Sequence, residues 1–265
     1  MCGHEKAKLK PLKTTKNNLV IIFYKYYDIF ADMNIIIRNI PNTITMFNLV
    51  CGLISIYCSF EKDLQTASYF IFCGAIFDFF DGLFARFLKI NSELGKQLDS
   101  LSDLVSFGVA PGFIMFHLIN QKLNFIYCEY SMISCVAIII PILSAYRLAN
   151  FNLDKKQINE FIGLPTPATA IFFASIPLAD TLTFTIFDNV FFLIFVTLII
   201  PFFLITKIPL FSLKFKRKEK INNKLNTLRI LLFVISIILF YIFKFAALPI
   251  IVFLYVILSL INNAK

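Results

Sequence analysis

The chain has 265 residues, of which 58% are apolar and 15% charged, with 33 Phe, 10 Tyr and a formal net charge of +9. Soluble domains run at about 45–50% apolar and about 25% charged, so an ordinary water-soluble domain is excluded, and hydrocarbon is the solvent the excess must face. The same figures exclude a disordered chain. The positive charge reads as a topology signal rather than as affinity for nucleic acid, because basic residues of membrane proteins collect in cytoplasmic loops.

In chain order, residues 1–38 carry Lys6, Lys8, Lys10, Lys13, Lys16 and Lys25 and read as a basic cytoplasmic tail. Its apolar and aromatic part is expected to lie as an interfacial helix among the headgroups. The alternative is a simple extension, with Met33 as a natural start ahead of the first span. The apolar run 19–24 is short and lacks a small-residue cleavage site, so no cleavable signal peptide is expected. Eight stretches then come near the roughly 20 apolar residues that a spanning helix needs. They are 40–60, 67–88, 98–119, 132–149, 166–182, 190–205, 228–243 and 246–261. Only Lys244 and Phe245 separate the last two, which predicts a tight hairpin.

The expected fold is therefore an all-α polytopic transmembrane bundle of about eight spanning helices. It divides into a membrane core over 39–206, a basic cytoplasmic loop over 207–227 and a C-terminal hairpin over 228–265. With both termini in the cytoplasm, 22 of the 25 basic residues lie inside and Lys62, Lys122 and Lys244 outside; the reverse orientation inverts that bias. The six cysteines, Cys2, Cys51, Cys58, Cys73, Cys128 and Cys135, show no CxxC spacing and read as reduced structural thiols.

Asp and Glu inside a spanning segment cost about 2.5–3.5 kcal/mol each on insertion scales, so a cluster of them demands partners or a polar cavity. The second and third stretches hold such a cluster, with Asp78, Asp81, Gly82, Ala85 and Arg86 followed by Gly95, Asp99 and Asp103. Asp78 and Asp81 are three residues apart and Asp99 and Asp103 four, so each pair shares a helix face. Asp78 lies 12 residues past Thr66. That is about 18 Å into a layer of about 30 Å, in its cytoplasmic half.

Four oxygen donors without a nearby Cys suit a hard cation, Mg2+ or Mn2+ with Ca2+ as a further candidate, rather than zinc. His4 and His117 are far from the cluster in sequence and are not expected to be ligands. Gly82 and Ala85 leave room for something bulky, and Arg86 offers a planar fork to a phosphate. A metal-bound diphosphate is the guest these residues suggest. Two other readings explain the acids alone: carboxylates neutralised or paired with Arg86 and Lys89 for packing, and an ion or proton pathway of a transporter.

The pattern D-x2-D-G-x2-A-R-x8-G-x3-D-x3-D, complete from Asp78 to Asp103 in all eight specified positions, resembles the signature of the CDP-alcohol phosphatidyltransferases. Ser106 to Pro111, Arg147 to Asn152, Phe161 to Ala170 and the opening Ile40 to Thr45 with Asn48 look like the bacterial phosphatidylserine synthase branch. Asn150 departs from it, standing where a basic residue is expected.

The resemblance implies a homodimeric helix bundle in the bacterial cytoplasmic membrane, its active site facing the cytoplasm, that moves a phosphatidyl group from CDP-diacylglycerol to L-serine and releases CMP. It further implies that Asp78, Asp81, Asp99 and Asp103 form the divalent-metal site, with Asp103 also the general base. Asn42, Thr45, Gly82, Ala85, Arg86 and Gly95, beside Asp78 and Asp81, would then bind the CDP and its phosphates. Arg147 is the candidate for the serine carboxylate, since a guanidinium fork is the side chain best suited to it. A phosphatidylglycerophosphate or phosphatidylinositol-type synthase shares the same core acids and differs in the acceptor, so it stays open beside the serine reading, as does an ion-coupled transporter.

Overall fold

The computed structural model describes residues 39–90, 92–124, 132–153, 161–179, 185–206, 209–210 and 224–263. The tail with its expected interfacial helix, and most of the basic loop, lie outside the described residues.

Helix α1 (Asn39–Phe60) is followed by α2 (Leu64–Phe87). Helix α3 (Glu93–Leu104) runs through a π-helical turn (Val105–Val109) into α4 (Ala110–Asn124). The π turn precedes Pro111, whose ring and missing N–H an unbroken α-helix would not accommodate, and the Ala110 N–H reaches back to Val105 O. A 3-10 stretch (Met132–Ile138) leads into α5 (Ile139–Leu153), then come α6 (Thr166–Ser175), α7 (Val190–Ile205), α8 (Lys224–Phe243) and α9 (Ala247–Asn263). The only sheet among the described residues is a two-residue antiparallel clip, β1 (Phe161–Ile162) with β2 (Pro209–Leu210). The protein is an all-α membrane helix bundle.

Among the described residues, four stretches are long and apolar enough to cross a membrane: Asn39–Phe60, Glu93–Leu123, Met132–Leu153 and Asn226–Ile261. The last of these is broken at Lys244, whose φ of 50° ends α8, and α9 packs back against α8 as the expected hairpin. Helix α2 has the length to span, 24 residues, but its aspartates dilute its hydropathy. One expectation needs correction: among the described residues of the apolar stretch 166–182, the helix is the ten-residue α6 alone. Pro177 cannot supply an N–H to the α-helical ladder, so Ile176 turns onto Phe173 O at 3.2 Å and the chain leaves the helix in tight turns.

Two helix ends set the site. Lys62 (φ 62°) and Lys89 (φ 54°) occupy the left-handed position that closes α1 and α2. In both, two backbone N–H groups fold back onto the last turn: Asp63 to Cys58 O at 3.0 Å and Lys62 to Ser59 O at 3.1 Å, then Ile90 to Ala85 O at 3.0 Å and Lys89 to Arg86 O at 3.3 Å. Ser92 then caps α3, its Oγ accepting from Gly95 N at 3.2 Å. Only five residues separate α2 from α3. Asp81 and Asp99 each stand six residues from the facing helix ends Phe87 and Glu93, and Asp78 and Asp103 stand nine and ten away. At about 1.5 Å per residue, the first pair is lifted by about 9 Å from those helix ends and the second by about 14 Å.

Away from the acids, most buried side chains are apolar, and His117, Asn120, Ser175 and Thr197 are buried as well. Leu64, Met115, Ile119, Ile140, Phe172, Phe173, Leu193 and Val196 form one buried cluster, and Ile71, Phe107, Ile114 and Ala174 belong to a second. Phe47, Phe79, Phe191, Phe233 and Tyr241 are exposed on the outside of the bundle, where hydrocarbon is the matching solvent. Cys51, Cys58, Cys73 and Cys135 are free thiols, as expected.

Candidate active site

Helices α1 and α3 meet along small and polar residues. Ser102 Oγ donates to Thr45 O at 3.0 Å, and Ser106 Oγ donates to Asn48 O at 2.9 Å. A Cβ on Gly52 would come within 2.4 Å of Ser106 Oγ and 2.8 Å of its Cα. In hydrocarbon, where apolar association between helices gains little, such close backbone approach and interhelical hydrogen bonding hold helices in register. Gly95 likewise lets α3 approach Asn42, whose Oδ1 would lie 2.8 Å from an added Cβ.

Against this seam the acids separate into two environments. One carboxylate oxygen from each of Asp78, Asp99 and Asp103 lies within 4.8 Å of the others, and all three residues are half-buried. Asp81 is buried and sits outside that group of three; its Oδ2 accepts from Thr45 Oγ1 at 2.7 Å. Asp103 Oδ1 accepts from Asn48 Nδ2 at 3.2 Å. Among the described residues none of the four acids forms an ion pair with Lys or Arg, and the salt bridge there is Lys122 to Asp188, far from the cluster in sequence. The packing explanation through Arg86 and Lys89 therefore lacks its partners. Carboxylates gathered this closely repel one another unless a cation or protons intervene, and an all-oxygen set of this kind fits a hard divalent cation.

A cavity of about 530 Å3 opens beside the acids, lined by Pro41, Asn42, Thr45, Asp81, Gly82, Ala85, Ile90, Ser92, Glu93, Gly95, Lys96 and Asp99. Gly82 differs from Gly52, Gly74 and Gly95: an added Cβ would meet nothing nearer than Arg86 Nη2 at 3.9 Å. Helix packing does not require a glycine there. The cavity wall does, if a guest is to approach the α2 backbone. Arg86 is exposed and does not line the cavity; its Nε donates to Gly82 O at 2.7 Å, leaving the guanidinium beside the mouth.

Arg147 lies on α5 and donates from Nη1 to Thr166 Oγ1 at 2.8 Å. Its Nε is buried without a hydrogen-bond partner. Nearby, Asn152 Nδ2 donates to Ser100 Oγ at 2.8 Å and Lys96 Nζ to Asn152 O at 3.4 Å, tying the end of α5 to α3. Gly163 adopts a φ of 76° and lies against the carbonyls that end α7, so the loop into α6 is fastened to the bundle.

A sequence profile described as CDP-alcohol phosphatidyltransferase matches residues 38–200. The chain belongs to the CDP-alcohol phosphatidyltransferase family. Among curated relatives, a CDP-diacylglycerol–serine O-phosphatidyltransferase of Bacillus subtilis is 40% identical over 128 residues, covering 48% of this chain and 69% of that protein. Proteins of the same name from Methanocaldococcus jannaschii and Saccharomyces cerevisiae are 37% and 36% identical, over 51% and 48% of this chain and 58% and 49% of their own length. Membership favours a transferase over an ion-coupled transporter. All eight specified positions of the family motif lie on α2 and α3, the two helices whose acids meet.

Sequence reasoning missed Ser102, Ser106, Lys96 and Thr166. The signal for the α1–α3 seam was available: Asn42, Thr45, Asn48 and Gly52 on one helix and Gly95, Asp99, Ser102 and Ser106 on the other recur at spacings of three and four, a polar and small stripe on each. For Thr166 no local signal exists, because its partner Arg147 is 19 residues away.

Proposed function

We propose that this chain is a CDP-diacylglycerol–serine O-phosphatidyltransferase, transferring a phosphatidyl group to L-serine with release of CMP. The observation that carries the reading is the group of Asp78, Asp99 and Asp103, within 4.8 Å of one another beside a cavity walled by Gly82. The relatives' names supply the acceptor.

Asp78 and Asp99, with Asp81 at the cavity, would hold one or two Mg2+ or Mn2+ ions, with Asp103 beside them as the base. Stabilisation of charge on the diphosphate and on departing CMP is what such a cation supplies when bound. Gly82 and Ala85 give the nucleotide room, Asn42 and Thr45 offer it hydrogen bonds, and Gly95 keeps Asn42 close to α3. Arg86, beside the mouth, is placed to take a phosphate oxygen in place of Gly82 O. Arg147 pairs the serine carboxylate, since a buried carboxylate requires a charge-assisted partner.

Asp103 Oδ2 takes the hydroxyl proton of serine as its oxygen attacks phosphorus and the bond to CMP breaks. A primary alcohol is a poor nucleophile at neutral pH, so this proton transfer is what a nearby carboxylate contributes. The site faces the cytoplasm of a bacterial membrane on the strength of the charge bias. Homodimerisation rests on the family resemblance and is checked by the mass of the detergent-solubilised enzyme.

The test is an acceptor screen. Purified protein with CDP-diacylglycerol and Mn2+ should release CMP with L-serine and remain silent with glycerol 3-phosphate or inositol. Turnover with either of those instead would reassign the acceptor within the family; solute flux in proteoliposomes without CMP would overturn the enzyme.

A further inference from the structure

Asn48 is fully buried and belongs to three helices at once. Its backbone carbonyl accepts from Ser106 of α3 at 2.9 Å, and its side-chain amide donates to Asp103 Oδ1 at 3.2 Å. Its own Oδ1 is buried without a partner and faces α2, where a Cβ on Gly74 would come within 2.9 Å of it. The opposite amide orientation would set Oδ1 against a carboxylate oxygen, two acceptors with no proton between them. The unpartnered Oδ1 is thus the consequence of aiming Nδ2 at Asp103, and the missing side chain of Gly74 is what lets the amide lie there.

We infer that Asn48 is a positioning residue: its amide occupies Oδ1 of Asp103, so that Oδ2 is the oxygen presented to the acceptor hydroxyl, and Gly74 holds the amide in place by leaving it room. The inference rests on Asp103 being the base of the proposed transfer. Asp103 reaches the site from a helix one side of which is taken up by Ser102 and Ser106 bonding to α1. Without the amide, the carboxyl turns about its last bond, and the oxygen meeting the hydroxyl is no longer specified. Proton transfer tolerates little misplacement, because it requires hydrogen-bond reach and alignment together.

The experiment compares Asn48→Ala, Gly74→Ala, Asp103→Asn and the Asn48→Ala/Asp103→Asn double variant of the full chain. Readouts are serine-dependent CMP release, KM for both substrates, and Mn2+ affinity by electron paramagnetic resonance on the same preparations. Asn48→Ala should lower kcat by about 10- to 100-fold, the range for losing a hydrogen bond to a charged group, with Mn2+ affinity and both KM values held within about twofold. Gly74→Ala should lower kcat in the same way but less. In the Asp103→Asn background Asn48→Ala should cost nothing further, since there is no base left to orient.

Unchanged kcat in Asn48→Ala, a matching loss of Mn2+ affinity, or full additivity with Asp103→Asn would each overturn the positioning role. Failure of the underlying reading looks different: Asp103→Asn itself would then keep wild-type CMP release, or serine would release no CMP from the unmodified enzyme.

Discussion

The two halves of the bundle hold together by different means. In the half that contains Leu64, Met115, Ile119, Phe172, Phe173 and Leu193, helices interlock through apolar side chains, and Phe172 and Phe173 are packed edge to face with centroids 5.3 Å apart. In the half that contains the acids, α1 approaches α3 and the π turn after it through Gly52 and Gly95, with side-chain hydrogen bonds to the Thr45 and Asn48 carbonyls and to the Asp103 carboxylate. The first arrangement tolerates exchange of one apolar shape for another. The second does not, because Ser102, Ser106 and Thr45 are buried hydroxyls bonded to specific partners in a medium that offers no substitute. The apolar packing and the acid cluster therefore lie in different regions of the bundle, and substitutions should separate stability from the proposed chemistry.

The largest effect expected is from metal removal: excess chelator should abolish CMP release, and Mn2+ or Mg2+ should restore it, because charge on phosphorus and CMP loses its counter-charge. Full activity in chelator would take the cation out of the mechanism. Next, Asp103→Asn should cut turnover by about 10²-fold or more while retaining Mn2+ binding. Asp78→Asn and Asp99→Asn should instead weaken Mn2+ binding itself, and equal loss of affinity in all three would erase the division of roles.

Smaller again, Arg147→Lys should raise the KM for serine about tenfold, the loss of one charge-assisted fork, with little change for CDP-diacylglycerol. An unchanged serine KM returns Arg147 to holding Thr166. The glycines sharpen the contrast between halves further. Gly52→Ala forces a Cβ into the Ser106 backbone and should cost about 1–3 kcal/mol of stability. Gly82→Ala meets no protein atom nearer than 3.9 Å and should leave the melting temperature in place while weakening CDP-diacylglycerol binding. The smallest effect on activity belongs to Phe173→Ala in the apolar half, which should lower the melting temperature through lost packing and leave both KM values within about twofold.

Much of this was legible before any coordinates. Segments of apolar residues located the helices because an unpaired backbone cannot lie in hydrocarbon, so a long apolar run has few alternatives to helix. The hairpin at Lys244 followed from two runs with almost no residues between them. The break at Pro177 was equally local, yet hydropathy alone concealed it: proline is compatible with an apolar environment and incompatible with the helical hydrogen bond. Within the site, four aspartates, two glycines and Arg86 stood out because charge in a membrane is costly enough to need a purpose.

Sequence by itself determined that this is a helical membrane protein and which acids cluster within its helices, since both depend on composition and on periodicity along one helix. Only the tertiary structure decided how those acids divide. Asp78, Asp99 and Asp103 share one space while Asp81 is held by Thr45, and that sorting depends on where α1 brings Thr45 against α2. The same holds for Asn48 on Asp103 and Thr166 on Arg147: hydrogen bonds between residues 55 and 19 positions apart arise from how helices cross, and no spacing along the chain encodes a crossing.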